Sequence, residues 1–139
     1  MNLIRTLFMG RWRPGQVPDS ARRALDGEGV LFLEEDLPGS VRFLSYGRVG
    51  RSGPAAQAVT GAVVVSRERF LVWAGRHEYI DVALGHPIRD TVTVTVDQPG
   101  QVCFSYPAEH FSRGRTGTIE VRLRTDQAAK IDLLLNPTA

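Results

Sequence analysis

The stretch from Gly61 to Leu84, GAVVVSRERFLVWAGRHEYIDVAL, constrains this chain more than any other. Its apolar residues are β-branched or aromatic and come in short runs separated by turn formers. β-Branched and aromatic side chains fit a pleated, half-buried surface, and Gly and Ser clusters fit the bends between such segments. Gly61 to Val65 therefore reads as one strand. Ser66-Arg67-Glu68 turns it, Phe70 to Trp73 runs back, Gly75-Arg76 turns again, and Tyr79 to Leu84 is the third strand. A chain of 139 residues carrying this meander suits a single small β domain with one core.

The flanking sequence extends the pattern on both sides. Asp19 or Ser20 can cap a short helix through Leu25, with Gly27 fitted to its end. Val30 to Glu34 and Val41 to Tyr46 read as the first two strands. The acidic run Glu34-Glu35-Asp36 and the turn Leu37-Pro38-Gly39 lie between them. Residues 47–58 read as a loop. Thr91 to Val96 alternates Thr and Val without exception, which places Val92, Val94 and Val96 on one face. Val102 to Tyr106 follows the Pro99-Gly100 turn. Thr118 to Arg124 alternates again, with Ile119, Val121 and Leu123 inward. The β pattern stops at Thr125. Thr125 or Asp126 can cap a helix in which Ala128, Ile131, Leu134 and Leu135 share one face, and Pro137 prevents its continuation.

Charge divides the chain unequally. Residues 1–25 hold five arginines against Asp19, net +4, so the remainder of a +2 chain carries −2. Residues 1–16 form a basic arm ahead of a single domain at 17–139. In the arm Leu3, Ile4, Leu7, Phe8 and Trp12 recur at helical spacing, with Arg5, Arg11 and Arg13 between them. Two readings stay open. The arm packs on its own domain or a partner subunit, or Arg5, Phe8, Arg11, Trp12 and Arg13 make a weak contact with an anionic membrane. No apolar run reaches the roughly 18 residues a spanning helix needs. Leu3 to Met9 is interrupted by Arg5 and has no small-residue cleavage site after it, so no secretory signal is expected. Cys103 is the only cysteine, which excludes an internal disulfide and fits a reducing, cytoplasmic compartment.

An antiparallel sheet closed by one C-terminal amphipathic helix has a physical logic, because the helix covers the open end of a curved sheet. The element order from Gly29 to Asn136 resembles the pleckstrin-homology-like (PH-like) superfold, in particular bacterial PH-like and GRAM-type domains. The residues that carry the resemblance are Gly61 to Ser66, then Arg69 to Val72, then Tyr79 to Leu84. It implies a mainly β, small antiparallel split barrel with a C-terminal capping helix. The family has seven strands, and eight candidates can be counted here. A calycin-type lipid-binding barrel is the rival architecture. The resemblance also implies a lipid-headgroup site in the turn between the first two strands. That turn here carries Glu34, Glu35 and Asp36, with Arg42 the only base in the following strand, and three carboxylates repel phosphates.

No constellation of catalytic residues stands out. Three histidines, His77, His86 and His110, lack metal-site spacing, and neither HExxH nor CxxC occurs. Cys103 sits between Val102 and Phe104, where it packs as a small hydrophobe more simply than it acts as a nucleophile. Gly47 to Gly53 offers backbone amides with Arg48 and Arg51, a candidate anion nest without the Lys-Ser/Thr end of a P-loop. The net-negative domain argues against nucleic acid. The sequence thus leads to a non-catalytic, cofactor-free interaction module, with a protein partner or self-association as its contact. Peripheral membrane binding through the arm and a hydrolase or metal-dependent enzyme with a loop-borne histidine are the alternatives.

Overall fold

A computed structural model describes residues 13–44, 56–110 and 116–136. Helix α1 spans Asp19–Glu28 and is followed by β1 (Val30–Leu44), β2 (Gln57–Ser66), β3 (Arg69–Ala74) and β4 (His77–Ala83). A turn of 3-10 helix at Pro87–Thr91 leads to β5 (Thr93–Gln98) and β6 (Gln101–Pro107). A second one at Ala108–His110 precedes β7 (Thr118–Arg124), and helix α2 is Ala128–Leu135. The described strands form one curled antiparallel sheet of seven, in the order β4-β3-β2-β1-β7-β6-β5. The expected fold class is therefore observed: a mainly β half-barrel with a C-terminal helix.

The Gly61–Leu84 meander is apolar on both alternations because β2 and β3 are buried on both faces. Val63, Val65, Phe70 and Val72 face the barrel interior, where they join Val102, Phe104, Val121 and Leu123. Ala62, Val64, Leu71 and Trp73 face outward and pack under Val17 and Leu25 of the N-terminal segment and α1. The first turn is closed by the Ser66 hydroxyl, which accepts from the amides of Glu68 at 3.1 Å and Arg69 at 3.0 Å. Helix α1 runs one turn further than the sequence suggests. Gly27 lies inside it, and Gly29, at φ 87°, terminates it.

The expected turn at Leu37-Pro38-Gly39 is not a turn. Residues 30–44 form one long bent strand that pairs with β2 along its first part and with β7 from Gly39 onward. The register steps from Glu34 opposite Val63 to Leu37 opposite Gly61, so one extra residue is accommodated as a bulge, with Asp36 at φ 59°. This step changes which face each later residue takes. It points Leu37 and Val41 into the core, where strict alternation would have put Asp36 inside. Gly39 serves a close approach: a β-carbon there would lie 1.8 Å from the Arg122 carbonyl oxygen of β7. Eight candidate strands thus become the seven described ones because two of them are one.

Helix α2 lies across the open end of the half-barrel. Ala128, Ile131 and Leu135 are buried in the core cluster, and Lys130 rests its ammonium 5.7 Å from the centre of the Phe32 ring. Leu134, expected on the buried face, is only partly buried. Neither Thr125 nor Asp126 caps the helix as expected: the residue at its N-terminus is Gln127, without a side-chain cap, and the Thr125 hydroxyl instead accepts the Gln127 amide at 2.9 Å in the turn ahead of it. Among the described residues no helix is long and apolar enough to cross a membrane.

Candidate functional site

Of the residues singled out in the sequence, Arg5, Phe8, Arg11, Trp12, Arg48 and Arg51 lie outside the described residues. Arg13 is exposed just before Gly15, whose amide donates to the Gly75 carbonyl at 3.0 Å. Gly15 in turn accepts the Asp36 amide at 2.9 Å, so this part of the chain is tied to the β3–β4 turn and to the bulge in β1.

The acidic run is not a solvated turn. Glu34 accepts the Thr125 hydroxyl. Glu35 accepts the Val17 amide at 2.8 Å and pairs with Arg22 of α1. Two of the three carboxylates thus fasten the N-terminal segment and the approach to α2 onto β1. Arg42 stands opposite Glu120 on β7 with its Nε buried and unpaired among the described residues, while Glu120 pairs with Arg122 at 3.1 Å.

The histidines are dispersed. His77 sits at the exposed start of β4 and meets the Tyr79 ring edge-on at 6.3 Å. His86 accepts the Ile88 amide at its Nδ1, 3.1 Å away, and His110 Nδ1 lies 3.1 Å from the Thr91 hydroxyl. No group of three His, Cys, Asp or Glu side chains able to hold a metal occurs among the described residues. Cys103 is 5% exposed, and burial pushes its thiol up against a smaller opposing pull from Arg122, away from the thiolate a nucleophile needs.

Two ionic networks brace the fold. Arg69 Nε contacts both Glu28 oxygens at 3.1 and 2.9 Å, and its Nη1 contacts both Asp81 oxygens at 3.1 and 3.0 Å. Ser66 donates to the same Glu28 at 2.7 Å. Burial opposes ionisation of Glu28, but the Ser66 and Arg69 bonds outweigh it and hold the carboxyl below its ordinary value. On the opposite part of the sheet Arg122 joins Asp97 at 2.8 Å to Glu120.

The feature left without a structural task is the seam where the two sheet edges, β4 and β5, face solvent. A cleft of about 550 Å³ opens there between Leu84, Arg89, Val92, Val94, Leu134 and Asn136. The seam is bridged by the Tyr106 hydroxyl of β6, which donates to the Tyr79 carbonyl of β4 at 2.8 Å. The two edges differ in character. β4 presents His77, Glu78 and Asp81, all exposed. β5 is uncharged from Thr93 to Val96, and five of its six residues are exposed. Val96, expected inward, is 40% exposed because the β5–β6 register slips between Thr95 and Gln98. Sequence reasoning recognised β5 as a strand but had no means of placing it at an edge. It also passed over Arg89 and Asn136, which line the cleft; the one signal was Asn136 standing at the helix end before Pro137.

No family model, curated protein or solved structure matches this chain.

Proposed function

We propose that the chain is a non-catalytic interaction module of the PH-like kind and that it makes a protein contact, with a second copy of itself, by strand pairing at the edge of β5. The observation that carries the reading is the contrast between the two sheet edges. Natural sheets protect an edge with charge, and β4 carries His77, Glu78 and Asp81, all exposed, within its first five residues. β5 offers an uncharged Thr-Val alternation of the kind that pairs readily through its backbone.

Self-pairing is chemically consistent along the strand. An antiparallel pair centred on Val94 sets Thr93 against Thr95 on both sides and brings Val96 beside Val92, the residue just ahead of β5. Thr–Thr and β-branched cross-strand pairs stabilise, and no like charges face one another. The sheet order and the helix across its open end also suit the PH-like resemblance, in which such folds serve as interaction modules.

Sedimentation velocity over a concentration series tests the reading. The full chain should show reversible association, and Val96→Lys should weaken it at least tenfold while leaving the melting temperature unchanged. Association that is indifferent to V96K, or a monomer at every concentration, would sink it.

A further inference from the structure

The free edge of β5 is already partly occupied. In an antiparallel ladder the backbone groups of alternate residues point to the same side. The Val92 carbonyl accepts Arg89 Nη1 at 3.0 Å, and the Val94 carbonyl accepts Asn136 Nδ2 at 2.6 Å. Both donors come from outside the sheet, one from the 3-10 turn before β5 and one from the end of α2. The outward side of β5 at Val92 and Val94 is therefore capped by side chains where a pairing strand would place its amides.

The two caps are themselves joined. Arg89 also donates through Nη2 to the Leu135 carbonyl at the end of α2. Asn136 Nδ2 also reaches Asp132 Oδ1 at 2.8 Å, and the Asn136 amide donates to the Asp132 carbonyl at 2.7 Å. Arg89 is half-buried, lies 5.2 Å from the centre of the Phe70 ring, and makes no ion pair with a carboxylate among the described residues. It is thus anchored from beneath. Asn136 is exposed and held by these few polar contacts alone. Of the two, Asn136 is the cap that can swing away without disturbing the core.

We infer that Asn136, braced by Arg89, is an autoinhibitory latch on the β5 edge: the Val94 carbonyl is released for pairing with a second copy only when the Asn136 amide lets go. The inference rests on the β5 reading given above and adds a regulatory element to it. It makes the end of α2, and whatever moves it, the control point for association. The latch also explains how the uncharged Thr93–Val96 stretch of this edge avoids indiscriminate pairing.

The test is sedimentation velocity on the full chain as wild type, Asn136→Ala and Asn136→Asp, each with and without V96K. A hydrogen bond of this type is worth roughly a factor of five, and each protomer of a symmetric pair breaks one. Both Asn136 variants should tighten the dimer about 25-fold, since neither side chain can donate to the Val94 carbonyl, and V96K should cancel the gain. N136D guards against a loss of association caused by truncating the end of α2, and melting curves confirm that both variants fold. Dissociation constants within twofold of wild type in both Asn136 variants, with V96K still weakening association, would overturn the latch and leave the edge reading intact. Association insensitive to V96K in every background, or absent from every variant, would overturn both.

Discussion

Gly39→Ala separates a bent strand from a turn more sharply than any other substitution. In a surface turn at negative φ, Ala would replace Gly with little cost. In the structure the added β-carbon would sit 1.8 Å from the Arg122 carbonyl oxygen and 2.8 Å from its carbon, against a practical lower limit of 3.0 Å. Both obstructing atoms are backbone, so no rotamer change relieves the clash. β7 must retreat from β1 by more than an ångström where Gly39 faces Leu123 and Ser40 faces Arg122. Two or three ladder hydrogen bonds at about 1 kcal/mol each are weakened or lost. Overpacking strain adds about 1 kcal/mol or more. The expected loss is about 3 kcal/mol, equivalent to roughly 10 °C in melting temperature for a domain of this size. Gly27→Ala is the control. Nothing lies within 4 Å of its β-carbon and it sits inside α1, so it should stabilise by about 0.5–1 kcal/mol. Urea unfolding, followed by fluorescence of the buried Trp73, reads both. A G39A protein within 1 kcal/mol of wild type would refute the close crossing of β1 and β7.

Further expectations follow from burial and charge. Ile131→Ala, in a fully buried α2 position, should cost about 3 kcal/mol, while Leu133→Ala, 65% exposed on the same helix, should cost less than about 0.5 kcal/mol; equal effects by urea unfolding would deny α2 its covering role. Glu28 and Asp97 are both held below their ordinary pKa values, burial working against that and their hydrogen bonds to Ser66 and Arg69, and to Gln101 and Arg122, prevailing. A depressed carboxyl pKa contributes stability that is present above the unfolded value, near 4.5 for Glu28 and 3.8 for Asp97, and is lost as pH falls through the lower folded value. Stability should therefore fall below about pH 4.5, and Glu28→Gln should flatten that fall; an unchanged pH profile in E28Q would contradict the assignment. Cys103 should react with a thiol reagent at pH 8 far more slowly in the folded than in the urea-unfolded chain, and equal rates would mean that β6 does not bury it.

The local patterns were legible where each residue has one task. The β2–β3–β4 meander, the alternation of β7 and the amphipathic α2 all follow from periodicity, because burial on a strand or helix face is written directly into residue type. Residues 34–39 were misread because Pro-Gly after an acidic run signals a turn, whereas here Gly39 exists for contact with Arg122 and Asp36 for the bulge. Both reasons depend on β7, some 80 residues away in the chain, and local sequence does not carry them. The acidic run shows the same limit: Glu35 looks solvated until Val17 and Arg22 are brought to it. The seam is the least legible part. That β5 is an edge depends on the sheet order, and Arg89 and Asn136 matter only because the seam brings both beside Val92 and Val94.

The central claim is that β5 is the surface through which this domain makes its contact. Hydrogen–deuterium exchange of the full chain, compared at a concentration where it is monomeric and one where it is associated, tests this most directly. Strand pairing at this edge predicts added protection confined to peptides covering residues 92–98, absent in V96K, with no gain at the end of α2, where Asn136 has let go of the Val94 carbonyl. Protection that appears on β4, on α1 or nowhere, while the protein associates, would contradict it.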